Sequence, residues 1–213
     1  MGRDRFIAAP ANRAALAALD GWRDWPGARL ALSGQPGAGK THLAHIWSVD
    51  AGARLLDAGA LATAVPDPGD PRPLAIDGAD TVAGRRPAEE TLLHLLNLAA
   101  ELGAPVLLTG RTPPARWPVT LPDLASRLAA IAHVAVNPAD DMLLVGLYEK
   151  LFADRQLSVD PAVIAFLLSR ARRDCAAAID LVARIDAAAL SERREVRLPL
   201  VRELLAQQDD SAD

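Results

Sequence analysis

Two kinds of apolar spacing divide the chain. Up to residue 136, short apolar runs of strand length alternate with stretches whose apolar positions recur at helical intervals; after Asn137-Pro138 only the helical interval persists. RLALS (29–33), ARLLD (53–57), PLAID (73–77), PVLLT (105–109) and IAHVAV (131–136) have the length and composition of strands. NRAALAALDGW (12–22) and THLAHIWS (41–48) carry helical spacing. A further helix opens at Pro87, with Glu89 and Glu90 at its positive end and Leu92, Leu95, Leu96, Ala99 and Leu102 along one face. AVPDPGDPRP (64–73) is too rich in proline and glycine for either and is expected to be a loop. Past the boundary, helices are expected over 139–154, 161–172, 175–191 and 199–207. Asp160-Pro161 and Asp174 start two of them, and the acidic DDSAD follows as a frayed tail. The strand–helix rhythm predicts an α/β fold, a parallel sheet wrapped by helices over 1–136, carrying an all-helical lid over 137–213.

The balance of charge narrows the function. The chain of 213 residues carries a formal charge of −4, with a pI near 5.6, the opposite of the basic footprint of a free-standing DNA binder. Aromatic residues make up 4% of it, too few to build a stacking platform for single-stranded bases. Direct, sequence-specific DNA binding is therefore not expected. Cys175 is the single cysteine, which excludes an internal disulfide and fits a packing role in a reducing compartment. MGRDRFIAAP lacks a signal-peptide core and no run of apolar residues is long enough for a membrane span, so a cytoplasmic protein is expected.

GQPGAGKT comprises Gly34, Gln35, Pro36, Gly37, Ala38, Gly39, Lys40 and Thr41, and it satisfies G-x-x-x-x-G-K-[ST] between a predicted strand and a predicted helix. Glycines let backbone amides turn onto phosphate oxygens, a lysine sets a point charge near the β and γ phosphates, and the threonine hydroxyl suits Mg²⁺. ADP or ATP with Mg²⁺ is the expected ligand. AIDGAD (75–80) ends the third strand; Asp77 is either the metal partner of Thr41 through water or a strand-ending turn residue. Gly78 stands where an ATPase would be expected to carry a second acid, and Asp80 is a stand-in with nothing in the sequence to fix its distance. His42 and His45 have no further ligand at metal spacing and are expected to pack or face solvent. Trp22, Trp25 and Trp47 are expected in or beside the core.

GKTHLAHIW together with TLPDLASRL (120–128) resembles the AAA+ domain of the bacterial replication initiator DnaA, and more closely the short DnaA-related regulators of the Hda type. The similarity covers nearly the whole chain, and PVLLTGRTPPARWPVTLPDLASRL (105–128) follows the Hda pattern almost end to end. The resemblance implies an AAA+ P-loop fold. It implies that Phe6, Ile7 and Asn12 lie near the adenine and the seam between base and lid, although ordinary packing and a helix cap would explain them equally. It counts His42, the last residue of GKTH, with the nucleotide-binding segment. Arg127 matches the arginine that this family presents to a neighbour's nucleotide; the alternative is a surface arginine paired with Asp123 on one helical face.

Three positions depart from the initiator pattern: Gly78, Arg111 in place of an acidic sensor, and Ala176 in place of a lid arginine, with Arg172 and Arg173 nearby. Holding a nucleotide needs amides, a lysine and Mg²⁺, whereas cleaving it needs charge and water placed for the transition state. Little or no ATPase of its own is therefore expected. By resemblance the chain would bind ADP or ATP, ADP above all, and dock on ATP-loaded DnaA. There it would stimulate hydrolysis with Arg127 and damp initiation. An autonomous helicase-loader-like ATPase and a non-catalytic DnaA-binding adaptor are the alternatives. The 58–72 segment is too short and proline-rich for the initiators' helical insertion, and the chain stops where their DNA-binding domain would follow. Hda-type chains usually begin with a short motif for the DNA sliding clamp; only MGRDR precedes Phe6, so the clamp stays open as a partner and its docking motif is not seen. Self-association stays open.

Overall fold

The computed structural model describes residues 12–63, 72–172 and 174–210. They fall into two compact units, one running from Asn12 to Asn137 and another from Pro138 onward.

In the first unit, β1 (Arg29–Ser33), β2 (Arg54–Asp57), β3 (Leu74–Asp77), β4 (Val106–Gly110) and β5 (Ala132–Ala135) form one parallel sheet in the order β2-β3-β4-β1-β5. Parallel strands covered on both faces read as continuous apolar runs, and β4 is buried at every position. The period of two along each strand then sorts side chains between two cores. Ala31, Leu74, Ile76, Val106 and Leu108 pack toward α3 (Arg86–Leu102) and α4 (Pro122–Ala129). Leu30, Leu32, Ala75 and Leu107 pack toward α1 (Arg13–Asp20) and α2 (Lys40–Ala51). In this second core Trp25 stacks on Trp47 with ring centroids 5.1 Å apart, and Trp22 meets Trp47 edge-on. The strand–helix alternation expected from the sequence is the one observed.

Differences lie in the short elements. Asp77 leads through Gly78, whose φ of 66° is left-handed, into a 3₁₀ turn over Ala79–Val82, where the sequence offered a strand end and a turn signal but no helical turn. The six residues Ala58–Thr63 form another 3₁₀ turn, while most of the expected 64–73 loop lies outside the described residues.

The second unit consists of α5 (Asp141–Asp154), α6 (Pro161–Arg170), α7 (Cys175–Glu192) and α8 (Leu198–Asp210). Asp140, Asp160 and Asp174 each accept a hydrogen bond from a first-turn amide at 2.6–2.7 Å; the sequence had singled out Asp160 and Asp174 for this capping, while α5 starts at Asp141 instead of 139. Leu144, Tyr148, Phe152, Val163, Leu167, Val182, Ile185 and Val201 form its interior. The last helix continues to Asp210, past the expected end at 207, because no proline or glycine follows Pro199 in its first turn.

Candidate nucleotide site

The phosphate-loop residues Gly34–Gly39 connect β1 to α2 in a turn that only glycine permits. A Cβ on Gly34 would lie 2.3 Å from the Val136 carbonyl oxygen. Gly37 and Gly39 take φ of 79° and 93°, in the left-handed region. The strand end is pinned on both sides, by Gly34 N–H donating to the Gly110 carbonyl at 3.2 Å and Val136 N–H donating to the Ser33 carbonyl at 2.7 Å. No side chain caps α2, so its first-turn amides face the loop as an anion-receptive end.

Lys40 begins α2 and folds back over the loop, its ammonium donating to the carbonyls of Gly34 at 2.7 Å and Gln35 at 2.9 Å. Partial burial pulls its pKa below the ordinary lysine value; the facing carboxylates of Asp80 and Asp77 oppose that shift, and Arg111 adds to it. Thr41 Oγ1 donates to Asp77 Oδ2 at 2.8 Å, which brings together the two residues that the sequence offered as a metal pair. A hydroxyl beside a carboxylate is a hard oxygen donor set that fits Mg²⁺. No group of three or more His, Cys, Asp or Glu among the described residues is placed to hold a metal ion by itself.

Two side chains complete this cluster, Thr109, which had not stood out in the sequence, and Asp80, which the sequence offered without a fixed distance. Thr109, buried at the end of β4, donates to Asp77 Oδ1 at 2.5 Å and accepts from Gly78 N–H at 2.8 Å, so it fixes both the carboxylate and the turn behind it. The signal was present as the polar residue ending the apolar run PVLLT. Asp80 also gains a fixed place: the 3₁₀ turn after Gly78 aims it at the loop, and the Arg111 amide donates to its Oδ2 at 3.2 Å. The Arg111 guanidinium lies 3.9 Å from the same oxygen and is largely exposed.

The other expected residues are scattered. Ala38 is buried in the loop, and its amide donates to the Gln35 carbonyl at 3.2 Å. His42 lies half-buried on α2 with its pKa lowered, first by burial and then by His45. Asn12 is buried at the N-cap position of α1, but its side chain makes no cap bond to that helix. Phe6, Ile7 and Arg173 lie outside the described residues. Arg172 pairs with Asp174 at 3.1 Å, on the cap of its own helix.

Arg127 sits in the last turn of α4, close enough to Arg29 for its charge to lower the Arg29 pKa, after burial. It forms no ion pair with Asp123 or with any other described carboxylate. Arg29 begins β1 and Ser33 ends it, so Arg127 lies at the opposite end of the strand from the phosphate loop, a separation of about 13 Å along β1 alone.

A parallel 2-3-4-1-5 sheet with the phosphate loop after β1, followed by a separate helical unit, defines an AAA+ P-loop protein. Among solved structures it is similar to domain III of the Thermotoga maritima replication initiation protein DnaA, with a TM-score of 0.80 at 16% identity over 96% of this chain and 95% of that one. It is also similar to AMPPCP-bound DnaA from Aquifex aeolicus (TM-score 0.71, 17% identity, 84% of this chain and 63% of that one). A third likeness is to the Thermotoga maritima RuvB Holliday junction branch migration motor (0.65, 18%, 95% and 70%). At such identities these likenesses establish the fold. Residues 150–205 match the family model described as Hda, lid domain, and the solved structures above give the chain a DnaA-like AAA+ fold. Among the described residues no helix is long and apolar enough to cross a membrane.

Proposed function

We propose that this chain holds an adenine nucleotide as a regulator and acts on the nucleotide of a second protein, ATP-loaded DnaA, through Arg127, thereby restraining replication initiation. The observation that carries this reading is the separation of its two cationic centres. Lys40 is gathered with Thr41, Asp77 and Thr109 at the phosphate loop, while Arg127, with no ion pair among the described residues, stands at the far end of the sheet. An arginine so placed serves a site in another molecule more readily than its own.

In this reading the loop amides and Lys40 bind the phosphates, Thr41 and Asp77 hold Mg²⁺, and Thr109 keeps Asp77 turned toward the threonine. The cation would supply neutralisation of phosphate charge. Gly78 offers nothing to orient water, which favours holding over turnover, and resemblance to the Hda type favours ADP as the resident nucleotide. Asp80 supports a second reading, in which the chain retains slow turnover of its own, since its carboxylate faces Lys40 from a fixed turn. ATPase of the isolated protein that Asp80→Asn abolishes would decide for it.

The main test is a reconstituted DnaA hydrolysis assay with clamp and DNA. Arginines supplied across an interface are worth ~10³–10⁵ in rate in well-studied cases. Arg127→Ala is expected to remove nearly all stimulation while leaving nucleotide binding intact. Undiminished stimulation by that variant overturns the proposal.

A further inference from the structure

Glu89 is a carboxylate that neither nucleotide binding nor the finger uses, and it is completely buried in the first turn of α3. Its Oε1 accepts from the Gly84 amide at 2.8 Å and the Thr120 amide at 3.0 Å. Its Oε2 accepts from the Thr120 amide at 2.9 Å, the Thr120 hydroxyl at 2.8 Å and the Leu121 amide at 3.0 Å. A buried charge of this kind is tolerated only where donors surround it, and here every donor comes from a segment leaving the phosphate site. Gly84 closes the stretch that leaves Asp77 through the Ala79–Val82 turn. Thr120 and Leu121 close the stretch that leaves Thr109 through Arg111 and Trp117.

That second stretch is itself tightly held. Trp117 donates from Nε1 to the Thr112 carbonyl at 2.9 Å, and its ring presses so close to Gly110 that a Cβ there would come within 2.6 Å. It ends at α4, a helix of only eight residues with no side-chain cap of its own. So short a helix does not persist without tertiary support. Leu121 occupies its N-cap position, and the carboxylate receiving the Leu121 amide belongs to α3. Leu124 and Leu128 then seat the helix in the core shared with Leu92 and Leu96. Arg127 lies six residues beyond Leu121, about 9 Å along the helix axis.

We infer that Glu89 is the positioning residue for Arg127: by fastening the start of α4 to the segments that leave Asp77 and Thr109, it sets where the guanidinium is presented to a partner's nucleotide. The inference rests on the finger reading above. Displacement of a catalytic group by an ångström can cost on the order of a hundredfold in rate, so a loosened α4 blunts the finger without touching the phosphate loop.

The test compares Glu89→Gln, Thr120→Val and Arg127→Ala in the reconstituted DnaA hydrolysis assay, at a temperature where each is folded by circular dichroism. Glu89→Gln turns one acceptor into a donor facing donors. It is expected to lower the maximal stimulated rate about tenfold or more, with the concentration for half-maximal effect and the affinity for MgADP unchanged. Thr120→Val, which removes only the hydroxyl bond, is expected to fall between it and the wild type, and decides alone if Glu89→Gln does not fold. Glu89→Gln added to Arg127→Ala should lower stimulation no further. Full stimulation by folded Glu89→Gln beside an inactive Arg127→Ala overturns the positioning role alone. Full stimulation by Arg127→Ala overturns the finger reading, and this inference with it.

Discussion

Lys40 spends its hydrogen bonds on the carbonyls of the very loop it closes, at 2.7 and 2.9 Å, and draws its electrostatic support from Asp80 and Asp77. A phosphate entering the loop competes only with those carbonyls, and a charge-assisted bond in such a place is worth about 1.5–3 kcal/mol. Lys40→Ala is therefore expected to weaken MgADP binding roughly ten- to a hundredfold, measured by titration calorimetry; unchanged affinity would refute the loop's role. Thr109 gives a second residue-scale prediction. Thr109→Val keeps the shape but leaves the Gly78 amide and Asp77 Oδ1 without their partner, at a cost of about 1–3 kcal/mol. Its melting temperature should fall, and its affinity for MgADP should fall more than its affinity for nucleotide without magnesium. Lys40, Thr41 and Asp77 were legible because motif spacing encodes their meeting. Thr109 was not, since it reaches Asp77 across neighbouring strands whose register the local sequence does not carry. Asp80 was half-legible: Gly78 marked the turn, but only the turn's geometry decides which way the carboxylate faces.

Elements long enough to show a period were legible in the sequence, and elements held from outside were not. Five strands and the long helices follow the apolar runs, and Asp160 and Asp174 announce their helices as caps. The 3₁₀ turn after Gly78 and the start of α4 depend on partners far along the chain. Glu89 is the instructive case: its position suited a helix dipole, yet its side chain turns inward to donors about thirty residues away, from Thr120 and Leu121. Burial alone would raise its pKa, but the Thr120 hydroxyl and the amides of Gly84, Thr120 and Leu121 outweigh that and hold it below the ordinary carboxylate value. A folded pKa below the unfolded one means stability that is fully present above the unfolded value, about 4.3, and is lost as pH falls through the folded value. The wild type should accordingly lose melting temperature across this acidic window, and Glu89→Gln should lose less over the same range. Equal pH slopes for the two would count against an ionised Glu89 in the fold. The lid offers a simpler check: Asp174→Ala should cost about 1 kcal/mol, seen as a lower midpoint in urea.

At the scale of the molecule, what matters is that one sheet carries two basic centres at opposite ends of β1. Lys40 follows the strand's carboxyl end, and Arg29 with Arg127 marks its beginning. The overall charge of −4 does not reveal this, and neither does periodicity; the strand order and the parallel direction of β5 beside β1 create it. Ligand linkage distinguishes the two centres in the isolated protein. A nucleotide at a hundred times its dissociation constant stabilises the folded state by about 2.7 kcal/mol. For a chain of this size that raises the melting temperature by roughly 5–10 °C. Wild-type protein with saturating MgADP should show that rise, and Lys40→Ala should show little of it. Arg127→Ala should show all of it, because a residue at the far end of the strand contributes nothing to a ligand in its own loop. If Arg127→Ala instead loses the rise, the arginine serves the nucleotide of its own chain, and the assignment of its work to a neighbouring molecule fails.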